Sequence, residues 1–208
     1  EAYFKTPYPD PDDKFGISVS IDGDTLAVGA ETEDSTQTTI TNGTSASSNN
    51  SSTIGSNSGA VYVYKRSGTS WAQEAYIKAA NNDADDDFGV GVALSGATLA
   101  VGARFEDSNQ TTITTGTTAS SNNSSTDSGA VYVYKRTGTS WAQEAYIKAA
   151  NNDAGDTFNG PLALDGDTLA VGVQSEDSNQ TTITNGTTAS SNNSNVQSGA
   201  VYVYKRTG

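Results

Sequence analysis

Carboxylates are the side chains in this chain best suited to chemistry, and they recur at matching positions. Asp13, Asp83, Asp85, Asp86, Asp87, Asp153 and Asp156 stand just before short apolar segments, while Glu33-Asp34, Glu106-Asp107 and Glu176-Asp177 stand just after others. If those segments pair as antiparallel strands, each leading acid meets a trailing pair, so that Asp86 approaches Glu106 and Asp107. Such clusters, with Asn and Ser oxygens nearby, suit Ca²⁺, a hard cation taking about 6–8 oxygen ligands. The competing reading is structural: exposed loop acids, or acids that cap turns through backbone amides. Paired carboxylates also serve glycoside hydrolysis, but that needs two with separated pKa values in one cleft. Acids repeated along a chain fit a structural or multivalent role better, and we expect no enzyme.

Composition narrows the chemistry further. There is no Cys, His or Met, which excludes disulfides, thiolate metal sites and His-based nucleophilic triads. The formal net charge is −13 at pH 7, a poor match to nucleic acid or anionic lipid, and neither is expected as a partner. No apolar run is long enough to span a membrane, so no membrane insertion is expected. The glycines sit at turns, not before a helix, so no phosphate loop is read. The chain opens at Glu1 with no leader pattern, which reads as a processed or excised segment.

The elements that would position these acids come from an internal repeat. Gly-Ala-Val-Tyr-Val-Tyr-Lys-Arg occurs at 59–66, 129–136 and 199–206, and Ser-Trp-Ala-Gln-Glu-Ala-Tyr-Ile-Lys-Ala-Ala at 70–80 and 140–150. Each unit reads as four short strands. Strand a alternates (Phe15, Ile17, Val19, Ile21), and Asp22-Gly23 marks a tight turn into strand b, Thr25 to Ala30. Strand c, Ala60 to Lys65, places Val61 and Val63 on one face and Tyr62 and Tyr64 on the other, and strand d, Trp71 to Lys78, places Trp71, Ala75 and Ile77 on one face and Glu74, Tyr76 and Lys78 on the other. No segment has helical periodicity. Without the long loops 31–58, 104–128 and 174–198, each unit has the ~40–45 residues of a four-stranded propeller blade. The expected fold is therefore all-β, with repeats over 13–80, 86–150 and 156–208.

The strand frame is offset. Glu1-Ala2-Tyr3-Phe4-Lys5 matches Glu74-Ala75-Tyr76-Ile77-Lys78, so residues 1–6 read as a strand d, and the third unit lacks one after Val201, Tyr202, Val203 and Tyr204. The count is one, four, four and three strands. Three blades do not close a ring, since propellers use about four to eight. An unpaired edge invites association, so these end residues are the candidate assembly surface and the expected partner is the chain itself, as a closed oligomer or head-to-tail polymer. A longer propeller containing this stretch is the third option. Pro7, Pro9 and Pro11 would stiffen the exit from the first strand.

The long loops carry Asn-x-Ser/Thr sequons at Asn42, Asn49, Asn50, Asn109, Asn122, Asn123, Asn179, Asn185 and Asn192, and Ser and Thr make up about a quarter of the chain. Glycosylation is read chiefly at Asn42, Asn109, Asn122, Asn179 and Asn185. The Thr-Thr-Ile-Thr core of each loop has strand propensity and is read as pairing with a neighbouring loop. The paired cations at 65–66, 135–136 and 205–206 are read as solvating strand ends opposite nearby Asp.

These motifs carry a family resemblance. Asp-Lys-Phe-Gly-Ile-Ser-Val-Ser at 13–20, Leu-Ala-Val-Gly-Ala at 26–30 and Ser-Gly-Ala-Val-Tyr-Val-Tyr at 58–64 resemble bacterial FG-GAP repeats, relatives of integrin α-subunit propeller blades. The third unit departs from the pattern, with Phe158-Asn159-Gly160-Pro161 and Gly172-Val173, and Pro161 should bend or end its strand. The resemblance implies a β-propeller, an extracellular or cell-surface setting, and often adhesion or calcium binding. The integrin-type Asp-rich a-to-b hairpin is missing, since Asp22-Gly23-Asp24 is only a turn. The leading expectation is an extracellular structural or adhesive protein. The alternative is a lectin-like or integrin-like module binding glycans or cell-surface ligands, although Phe105 is the one aromatic in the loops.

Overall fold

A computed structural model describes residues 1–47 and 56–207. The described residues form thirteen strands and no helix. The first sheet contains β1 (Val19–Asp22), β2 (Thr25–Ala30), β3 (Ile40–Asn42), β4 (Ala60–Ser67) and β5 (Ser70–Ile77), in the spatial order β1-β2-β4-β5-β3. The second repeats it with β6 (Phe88–Ser95), β7 (Thr98–Ala103), β8 (Ile113–Thr115), β9 (Ala130–Thr137) and β10 (Ser140–Ile147). The third has three strands, β11 (Leu162–Asp165), β12 (Thr168–Val173) and β13 (Ala200–Lys205). All pairings within these sheets are antiparallel, as short hairpin connections require.

Alternation on β4 and β9 explains the stacking. Val61 and Val63 point into a core shared with Phe88, Leu99, Val101 and Tyr134 of the second repeat, while Tyr62 and Tyr64 point the other way, toward Phe4 and Phe15. One repeat further on, Val131 and Ile147 meet Phe158, Val171 and Tyr202. Each repeat thus offers a valine face behind and an aromatic face in front, and the core lies between successive sheets. Edge-on rings fill the front faces, with Phe88 5.3 Å from Tyr132 and Phe158 5.4 Å from Tyr202. The close approach demands glycine: at Gly59, where φ is +82°, a Cβ would lie 2.0 Å from the Phe88 carbonyl oxygen.

Four expectations change. The Thr-Thr-Ile-Thr loop core does not pair with another loop; in the first two repeats it adds a fifth strand to the outer edge of its own strand d, pairing Ile40 with Ile77 and Ile113 with Ile147. The reason is that strand d is the exposed edge of its sheet, with unpaired backbone groups facing the loop. Strand a is shorter than its alternation suggests in the outer repeats. Phe88 donates its amide to Ser58 O of the preceding repeat, but Phe15 has no preceding repeat, and Pro161 interrupts the third copy. Residues 1–6 form no strand in this chain. Phe4 instead packs against Tyr64 and Trp71 at 5.0 and 5.6 Å. Finally, register shifts near Glu74 and Glu144 break the alternation of strand d. These bulges send both carboxylates toward the next repeat.

Candidate functional site

At the acidic end, the leading and trailing acids meet as the strand pairing requires. Asp13 feels the charges of Glu33 and Asp34, Asp86 those of Glu106 and Asp107, and Asp156 those of Asp153, Glu176 and Asp177. Burial is the main cause that pushes Asp13 up to about 6, Asp86 to about 8 and Asp156 to about 7. Asp13 and Asp86 also cap turns, accepting the Asp10 and Asp83 amides at 3.1 and 3.2 Å. Asp34, Asp107 and Asp177 accept the amides of Asn57, Asp127 and Gln197, which tie the far end of each long loop to its start. Asp85 accepts from the Asn57 side chain, Asp83 from Asn123, and Asp87 lies 3.8 Å from Arg104. Among the described residues, no three of these carboxylates converge to hold one ion.

The feature that spacing alone does not reveal is a buried lysine socket. Lys78, at the end of strand d, places Nζ 2.9 Å from Glu33 Oε2 and 2.8 Å from Ser58 Oγ, and Tyr76 OH meets Ser35 Oγ. Lys148 repeats the arrangement, 2.8 Å from Glu106 Oε2 and 2.7 Å from Ser128 Oγ, with Tyr146 on Ser108. All these groups are buried. Burial pulls both ammonium groups below the ordinary lysine range, opposed by the adjacent glutamates. The sequence signal is a Glu-Asp-Ser triplet coupled to a downstream Tyr-x-Lys, present in the first two repeats. The third keeps Glu176-Asp177-Ser178 but has no Tyr-x-Lys after β13.

Where that strand would run, a groove of about 650 Å³ opens between β13 and residues 180–190. Its loop wall has no strand partner: Ile183 is 90 % exposed and residues 182–184 are not β. The proposed assembly residues divide by face. Tyr202 and Tyr204 pack inward beside Phe158, while Val201 and Val203 are 68 % and 66 % exposed. Of the N-terminal set Glu1, Ala2, Tyr3, Phe4 and Lys5, only Phe4 is anchored in a core.

The basic pairs do more than solvate strand ends. Arg66 pairs with Asp24 as expected. Arg136, however, reaches back to Glu74 of the preceding repeat with two hydrogen bonds, joined there by Trp141 Nε1 at 3.1 Å. Arg206 likewise bridges Glu144 and Asp167. Among the sequons, Asn109, Asn122, Asn179 and Asn185 are exposed; Asn42 is committed to the Trp141 backbone through both ends of its amide, and Asn49 and Asn50 lie outside the described residues.

The first two repeats, with Phe-Gly at 15–16 and 88–89 and Val-Gly-Ala at 28–30 and 101–103, match the FG-GAP repeat family over residues 9–64 and 71–134, more than half of the chain. The chain belongs to the FG-GAP repeat family. No curated protein matches it. The FG-GAP match ends within strand c of the second repeat, so the third, with its Asn159-Gly160-Pro161 departure, is recognised through its structural likeness to the other two. Among the described residues, no helix is long and apolar enough to cross a membrane.

Proposed function

We propose that this chain, whose FG-GAP membership suggests a propeller-like ligand-binding or adhesion module, is a non-enzymatic extracellular or cell-surface structural protein of adhesive type, which self-associates by strand complementation and extends into a filament. The observation that carries the reading is an apolar surface left open beside β13. Val201 and Val203 are exposed next to a groove, and Phe4 packs on Tyr64 at the opposite face of the stack. Such a contact is heterologous and propagates unless its rotation closes a ring. The absence of His and Cys, and acids engaged in structural bonds, support a role without catalysis.

Sedimentation velocity and negative-stain electron microscopy of the intact chain test this. Concentration-dependent growth into rods or rings is expected, abolished by deleting residues 1–6. A dispersed monomer at tens of micromolar overturns it. The ligand-binding reading draws on the family and on three long loops emerging at one end; glycan-array binding retained by isolated monomers would favour it.

A further inference from the structure

The lysine socket of the second repeat holds more than an ion pair needs. Lys148 Nζ lies 2.8 Å from Glu106 Oε2, and the two side chains are 0 % and 1 % exposed. Oε2 also accepts the Ser108 amide and the Ser108 hydroxyl, each at 3.2 Å. The other carboxyl oxygen, Oε1, accepts Asn81 Nδ2 at 2.9 Å. Asn81 is itself fixed, since Nδ2 also donates to Ser120 O and Oδ1 accepts the Tyr132 hydroxyl. Nζ donates a further hydrogen to Ser128 Oγ at 2.7 Å. A primary amine thus faces a carboxyl group in a site closed to water, with separate donors on each carboxyl oxygen. Holding two reacting groups in this way replaces a bimolecular encounter. Burial also pulls the ammonium below the ordinary lysine range, toward the free amine that can attack.

We propose that Lys148 and Glu106 condense into an intramolecular amide, a covalent cross-link across the second sheet. The ammonium passes one proton to Oε2, and the Nζ lone pair so freed attacks Cδ. The C–N bond forms as the Cδ–Oε2 bond breaks. A second nitrogen proton goes to the departing hydroxyl, and one water leaves. Nothing is oxidised or reduced, and no co-reactant is needed. Asn81 Nδ2 donates to Oε1 as charge builds there, in the manner of an oxyanion hole. The product keeps its partners: the amide oxygen retains Asn81, and the one hydrogen left on nitrogen retains Ser128 Oγ. The bond ties the start of the long loop to the end of β10, across β9, and prevents β10 from peeling off its sheet. The first repeat supplies the comparison. Lys78, Glu33 and Ser58 repeat the pair, but Tyr8 stands at the position of Asn81, and among the described residues no side-chain amide reaches Glu33 Oε1. The cross-link is therefore assigned to the second repeat alone. It needs no second copy, so it stands or falls apart from self-association.

Intact-mass spectrometry of the full chain, made in a non-glycosylating host and denatured after folding, tests this. The mass is expected to fall short of the sequence value by one water. Trypsin should leave a branched peptide that joins the segment holding Glu106 to an uncut Lys148. Lys148→Arg keeps the cation but carries no attacking amine, and should restore the full mass with an unchanged circular-dichroism spectrum. Asn81→Ala should slow the appearance of the cross-link after refolding by at least ~10-fold. A full sequence mass with ordinary cleavage after Lys148 overturns the proposal and leaves a buried ion pair. A one-water deficit that maps to Asp22-Gly23 or Asp165-Gly166 also overturns it, because a succinimide there loses the same mass. A second water lost between Glu33 and Lys78 would uphold the chemistry and overturn the role of Asn81. The parent's mass decides the bond even if a variant fails to fold.

Discussion

Single side chains divide into those whose type announced their place and those it concealed. The Val61/Tyr62 alternation was readable, because a strand period of two assigns faces directly. The burial of Lys78 and Lys148 was not readable, since lysine is almost never fully buried unless paired. Only the spatial meeting of strand d with the loop start reveals the pairing. Lys148→Met should destabilise the chain by about 3–5 kcal/mol in urea unfolding, because it strands Glu106 in the interior. Glu176→Gln, which breaks no ion pair within the chain but sets its amide NH2 against one of the donors facing the carboxylate, should cost less, about 1–3 kcal/mol. The acids give a pH signature. A carboxyl whose folded pKa is raised binds a proton in the native state that the unfolded chain releases. The corresponding stability is fully present below about 4 and is lost as pH rises through about 6 to 8 for Asp13, Asp156 and Asp86. Asp86→Asn keeps the acceptor for the Asp83 amide but cannot ionise. Its melting temperature should exceed the parent's at pH 8 and equal it near pH 4; an unchanged slope of stability with pH would refute the assignment.

Among elements, four strands per repeat followed from periodicity and turn glycines, while the fifth did not. Thr-Thr-Ile-Thr is polar and short, and what makes it a strand is the edge it meets, together with Gln73 and Gln143, which donate to carbonyls just beyond it. The third repeat is the internal control. Its loop has the same sequence at 181–184 as at 111–114 but no strand d to lean on, and it forms no strand. In monomeric protein, amides at 183–185 should therefore exchange with solvent at least ten-fold faster than those at 113–115. Equal protection would mean the loop strand stands without its partner. Gly129→Ala tests the approach between repeats: φ there is +76° and a Cβ would lie 2.3 Å from the Phe158 amide nitrogen, so a loss of at least ~1–3 kcal/mol is expected in thermal melts.

For the whole molecule, the offset strand frame was visible in the alignment of residues 1–5 with 74–78, but the way residues 1–6 are held was not. A charge of −13 makes copies repel one another. The proposed association should strengthen as salt rises from about 20 to 200 mM, since screening shortens the long-range repulsion. Weakening with salt would point to exposed ion pairs as the main contact. The anchoring of Phe4 on Tyr64 and Trp71 also has a kinetic consequence. Because the segment around Phe4 is already held, little chain ordering would remain for the encounter that the proposed self-association requires. Copies then meet as shaped bodies rather than by a searching tail, and the encounter is governed by orientation, in the range of about 10⁵–10⁷ M⁻¹s⁻¹. Differences in how long the proposed assembly lasts would fall instead on the escape rate.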